Sequence, residues 1–192
     1  MTTCPIPTGR CSDPEFRLTV YEAGHALTAR ALEQKIISVQ MFPRPPMLVS
    51  DKTFSGNKIG GLVKMLENRV IELFGGQIAE TEACSSNTCC SGDVSRIDEL
   101  TRLIAGLSGS GDPESVWFEL EDVAEDIFKD QRYRDAILPI AEFLHQRVLD
   151  GWEIIDGKDL DAELDKYVPA MSKDQGLKKF LKLGGKKEPN AA

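Results

Sequence analysis

The chain has 192 residues, 41% of them hydrophobic and 28% charged, with a net charge of −8, which predicts a folded, core-forming domain and excludes a disordered chain. An acidic surface repels a phosphate backbone, so nucleic acid is not an expected partner. No stretch reaches the run of about 20 apolar residues that a membrane span needs, and Met1 to Arg10 lacks an apolar signal core, so the expected location is cytoplasmic with no membrane partner.

Residues 1–12, with Pro5, Pro7 and Gly9, read as an irregular lead-in to a domain spanning 13–168. Ser12, Pro14 and Glu15 have the form of a capping box that opens a helix running to about Gln34. Phe16, Val20, Ala23, Leu27 and Ala31 recur at helical spacing and mark its buried face. Ile36 to Phe42 alternates like a strand and is ended by Pro43, Pro45 and Pro46. A second strand is expected at Ile59 to Val63, after a turn at Ser55-Gly56-Asn57, giving a small hairpin.

Leu62, Met65, Leu66, Val70, Leu73, Phe74 and Ile78 predict a long amphipathic helix over 62–82. Gly75-Gly76 inside it costs stability unless another backbone approaches closely. Ala83 to Gly92 reads as a loop, followed by helices over Asp93 to Leu107, Pro113 to Lys129, Tyr133 to Leu149 and Asp159 to Tyr167. Residues 169–192 form a basic tail, six lysines against Asp174 and Glu188. The predicted architecture is mainly α with a small β-sheet or hairpin. Cys4, Cys11, Cys84, Cys89 and Cys90 are odd in number with two adjacent, which predicts reduced thiols.

The string that carries chemistry is Tyr21-Glu22-Ala23-Gly24-His25. In H-E-x-x-H, two histidines at i and i+4 share a helix face and bind zinc while the glutamate serves as general base. Here the glutamate and second histidine are in register, and tyrosine stands first.

Extended to Leu27, the string resembles H-E-A-G-H-A-L of the FtsH family of ATP-dependent zinc metalloproteases. Leu73-Phe74-Gly75-Gly76-Gln77-Ile78-Ala79-Glu80 is similar to that family's L-x-G-G-R-x-A-E, and Thr88-Cys89-Cys90-Ser91-Gly92-Asp93-Val94 to its T-G-A-S-N-D-L. The strand ending at Pro43 resembles the one that flanks the family's substrate cleft. The resemblance covers residues 15 to 165 and implies an FtsH-like metallopeptidase domain. It also implies roles: His25 and Asp93 as metal ligands, with Tyr21 in the remaining ligand position, and Glu22 as the base that activates a metal-bound water. The family's ATPase module has no counterpart, since nothing fits G-x-x-x-x-G-K-[ST], so threading of substrates would need a separate ATPase. The segment between Leu107 and Glu119 is also shorter than its family counterpart.

Tyr21 bears directly on activity. A phenol is a poor ligand, and ionising it at pH 7 against a reference pKa of about 10 costs about 4 kcal/mol unless a metal supplies it. Asp93, at a helix start, has a purely structural alternative as a capping carboxylate. Cys89 or Cys90 could supply a thiolate in place of the lost imidazole, whereas His145, Trp117 and Trp152 read as packing residues. Three functions are therefore carried forward. The first is a degenerate or weakly active peptidase, a pseudopeptidase whose cleft holds peptide along the small strand. The second is an active metalloendopeptidase with an altered zinc site, and the third is a non-catalytic assembly protein that self-associates through helix 62–82. Zinc is expected only if the site is functional.

Overall fold

The computed structural model describes residues 9–53, 58–85, 91–109 and 111–170. The turn expected at Ser55-Gly56-Asn57, Cys89 and Cys90, the lead-in before Gly9 and the tail after Ala170 lie outside the described residues.

A short 3-10 turn, Gly9–Ser12, leads into α1, Pro14–Ala31. The cap is Asp13 rather than Ser12: its carboxylate accepts from the Glu15 backbone N–H, and Pro14 occupies the first helical position, where its missing N–H costs nothing. The helix stops at Ala31, short of Gln34, because the chain turns at Glu33 with φ of 56°. Phe16, Val20, Ala23, Leu27 and Ala31 are all buried, and so is most of the rest of the helix.

The sheet has three antiparallel strands in the order β2-β1-β3, formed by β1, Ile36–Gln40, β2, Met47–Ser50, and β3, Ile154–Asp156. Val39 pairs with Leu48 on one side and with Ile155 on the other, and all three are buried. The hairpin partner is thus Met47–Ser50, and the strand expected at Ile59 to Val63 is instead the start of a helix. A bulge between Ile36 and Ser38 resets the alternation, so Ile36 is buried and Ile37 exposed.

That helix is α2, Ile59–Cys84. Its N-terminal glycines, Gly60 and Gly61, sit in the first turn, where helix propensity weighs least. Leu66, Val70, Leu73 and Phe74 enter the core. α2 crosses α1 at glycine: a Cβ on Gly24 would lie 2.2 Å from the Gly75 carbonyl oxygen, and one on Gly75 would lie 2.0 Å from Thr28 Oγ1. The paired glycines therefore mark a close backbone approach. The apolar face of α2 packs into the core.

Around this pair stand α3, Ser91–Ser108, α4, Pro113–Lys129, α5, Gln131–Leu149, and α6, Gly157–Leu164. Asp112, Asp130 and Asp156 cap α4, α5 and α6 in the same way that Asp13 caps α1. The protein is mainly helical with a small antiparallel sheet. Among the described residues no helix is long and apolar enough to cross a membrane.

The expectation of reduced thiols is corrected at one pair. Cys11 and Cys84 form a disulfide, with Cα atoms 5.5 Å apart, tying the first turn to the C-terminal end of α2. Their separation of 73 residues leaves no local signal of pairing.

Candidate functional site

α1 positions three of the four singled-out residues by its own repeat. Tyr21 and His25, four apart, lie on the same face, and their rings meet edge to face with centroids 4.7 Å apart. This face packs against Gly76 of α2, where a Cβ would fall 2.7 Å from Tyr21 Cε1 and 2.8 Å from His25 Cε1. Glycine is therefore what allows both rings to approach that helix so closely. Asp93 arrives from a different element, the first turn of α3.

The Tyr21 hydroxyl donates to Asp93 Oδ2 at 2.7 Å. His25 Nε2 lies 3.5 Å from the same oxygen. On its other side, His25 Nδ1 is 2.7 Å from the Glu72 carbonyl oxygen; a carbonyl only accepts, so Nδ1 carries the proton and Nε2 faces Asp93. Glu72 is itself fully buried, and its carboxylate takes Arg69, Lys52 and the Ser50 hydroxyl. The His25 ring is thus held by an element whose own charge is well compensated.

Glu22 is buried, and its Oε2 has no hydrogen-bond partner. Desolvation, assisted by the nearby negative charge of Asp93 and opposed by His25, pushes its pKa to about 7. Burial is also the largest influence on His25 and depresses it. The hydrogen bond to Asp93 and the charges of Glu22 and Asp93 outweigh that, leaving its pKa above the ordinary histidine value. For Asp93, burial pushes upward, but His25, the Tyr21 hydroxyl and Arg69 together hold the carboxyl below its usual range. The site at neutral pH therefore centres on a charged Asp93 that accepts from the Tyr21 hydroxyl, beside His25 and a half-neutral Glu22.

Tyr21, Glu22, His25 and Asp93 all line one groove of about 660 Å³, whose opposite wall is the segment Pro43 to Leu48 with Gln40 behind it. β1 is central and hydrogen-bonded on both sides, so it cannot take an added strand. β2 and β3 are the two edges, and Met47 and Leu48 of β2 line the groove.

A catalytic zinc takes three protein ligands and keeps a position for water. The donor set here is one imidazole nitrogen, one carboxylate and a phenol that spends its proton on that carboxylate's Oδ2. Among the described residues no group of three His, Cys, Asp or Glu side chains could hold a metal ion. These residues do not fit a catalytic zinc. His145 lies buried on α5, edge-on to Phe16 at 5.5 Å, and Trp117 packs against Phe74, both apart from the groove.

Sequence reasoning missed Glu72, Arg69, Arg44 and Arg96. Glu72 carries a signal in principle: a carboxylate amid Val70, Ile71, Leu73 and Phe74 in an apolar helix face demands compensation. Arg96 follows Asp93 by three residues and so shares its helix face. The sequence matches no protein-family model and no curated protein.

Proposed function

We propose that this protein is a pseudopeptidase related to the FtsH peptidase domain, a metal-free module that binds extended peptide segments without cleaving them. The observation that carries this reading is the 2.7 Å hydrogen bond from the Tyr21 hydroxyl to Asp93 Oδ2. In a working zinc site that oxygen would face a cation, and here it accepts the Tyr21 hydroxyl proton and lies 3.5 Å from His25 Nε2. Ionising the phenol would break the bond and place two negative oxygens side by side, adding to the cost of about 4 kcal/mol for a phenolate at pH 7.

Peptide binding is supported by the groove and by β2 at its edge. An edge strand offers unpaired N–H and C=O groups to an incoming chain, and Met47, Leu48 and Leu73 supply apolar contact for its side chains. No metal enters that interaction.

One feature favours the second reading, an active metalloendopeptidase. The hydrogen bond from His25 Nδ1 to the Glu72 carbonyl is the arrangement that orients metal-ligating histidines. The two readings separate on unfolded casein: intact casein with and without a chelator is the expected result, together with chelator-insensitive binding of an extended peptide. Cleavage that a chelator abolishes would establish the hydrolase instead.

A further inference from the structure

The chain is strongly acidic, yet the groove presents three arginines, Arg44, Arg69 and Arg96, from three different elements. Their existing partners differ. Arg69 lies on α2 and pairs with buried Glu72, which also takes Lys52, so this cluster keeps an excess positive charge. Arg44 projects from the turn between β1 and β2 and pairs with Glu15 at 2.9 Å, both side chains more than 40% exposed. A pair so wetted is weak and exchanges readily for another carboxylate. Arg96 is exposed on α3 and has no ion-pair partner among the described residues.

Arg44 comes from the strand wall of the groove and Arg96 from its helical wall, so a chain running along β2 has a guanidinium on either side. The carboxylates that line the groove do not cancel them. Asp93 is satisfied by Tyr21 and His25, and Glu22 is buried beneath the surface. Guanidinium groups match carboxylates in a planar, two-point geometry, which gives direction as well as attraction.

Building on the peptide-binding reading, we infer that the groove selects acidic extended segments, with Arg96 and Arg44 as the residues that determine that preference. The peptide backbone is held by the β2 edge, and Asp or Glu side chains flanking it are taken by the two arginines. A basic segment is rejected twice, by the like charge of the arginines and by the loss of carboxylate partners.

The test uses the full chain and three matched, fluorescently labelled peptides of alternating valine and threonine, identical except that two positions carry Glu, Gln or Lys. At low salt the Glu peptide is expected to bind about tenfold more tightly than the Gln peptide and the Lys peptide more weakly still, with the differences shrinking at high salt. Arg96→Glu and Arg44→Glu are each expected to remove most of that preference. Arg132→Glu is the control for overall charge, since Arg132 sits on α5 away from the groove and pairs with Asp130. Equal binding of all three peptides overturns the acidic preference but leaves the peptide-binding groove standing. An equal loss in Arg132→Glu overturns it too, because the effect is then one of net charge. If none of the peptides binds, the underlying peptide-binding reading fails with it.

Discussion

Glu22 is the residue at which chemistry and stability meet. Its pKa rises from 4.5 to about 7 on folding, so between those values the native state holds a proton that the unfolded chain has lost. Stability therefore falls as pH rises across that window, by about 3 kcal/mol for a shift of this size. His25 acts in the same direction: its raised pKa contributes stability that is complete below its unfolded value of 6.5 and is lost as pH rises through the folded value. Glu22→Gln keeps the shape and removes the charge. It is expected to raise stability at pH 8 by about 1–3 kcal/mol and to flatten the pH dependence between pH 5 and pH 8, measured by urea unfolding. A variant with an unchanged pH profile would show that Glu22 is solvated in solution.

At the scale of elements, the crossing of α1 and α2 sets the geometry of the groove. Gly24 stands within the glutamate-to-histidine string, but its requirement is one of packing: any Cβ there meets the Gly75 carbonyl, a backbone atom with nowhere to move. Gly24→Ala is expected to cost about 3 kcal/mol or more, near the upper end for overpacking, and to lower the melting temperature clearly. The gain in helix propensity from glycine to alanine, about 1 kcal/mol, is too small to reverse the sign. The Cys11–Cys84 disulfide acts on the same helix pair from outside, joining the entry to α1 with the end of α2 across 73 residues of chain. Closing a loop of that length is worth up to about 4 kcal/mol, so reductant should lower stability markedly, with Cys11→Ser matching the reduced wild type and insensitive to reductant. A melting temperature unchanged by reductant would place the free-energy contribution of the bond near zero.

For the whole molecule, what could be read in advance depended on the range of the forces involved. Helices follow from local periodicity, and Pro113–Lys129 starts and stops where its proline and its last apolar turn indicate. β2 escaped because Met47–Ser50 is only four residues long and follows a proline-rich turn that masks its alternation. Ile59 to Val63 reads as a strand because isolated apolar and β-branched residues fit either structure, and the decision comes from the helix core that continues after it. β3 has three residues and exists only because β1 offers it an edge. At the site, helical spacing placed Tyr21 beside His25, whereas the approach of Asp93, the support from Glu72 and the arginines of the groove arise from tertiary packing. The disulfide lies beyond any local reading for the same reason.

On the proposed pseudopeptidase reading, a proton shared between Tyr21 and Asp93 stands where hydrolysis would need a metal ion. Zinc bound per chain, measured by elemental analysis after equilibrium dialysis against zinc and removal of loosely held ions, tests this most directly. Far less than one zinc per wild-type chain is expected, rising toward one in Tyr21→His, where a second nitrogen ligand on the same helix face completes three protein ligands with His25 and Asp93. One tightly held, chelator-removable zinc in the wild type would contradict it.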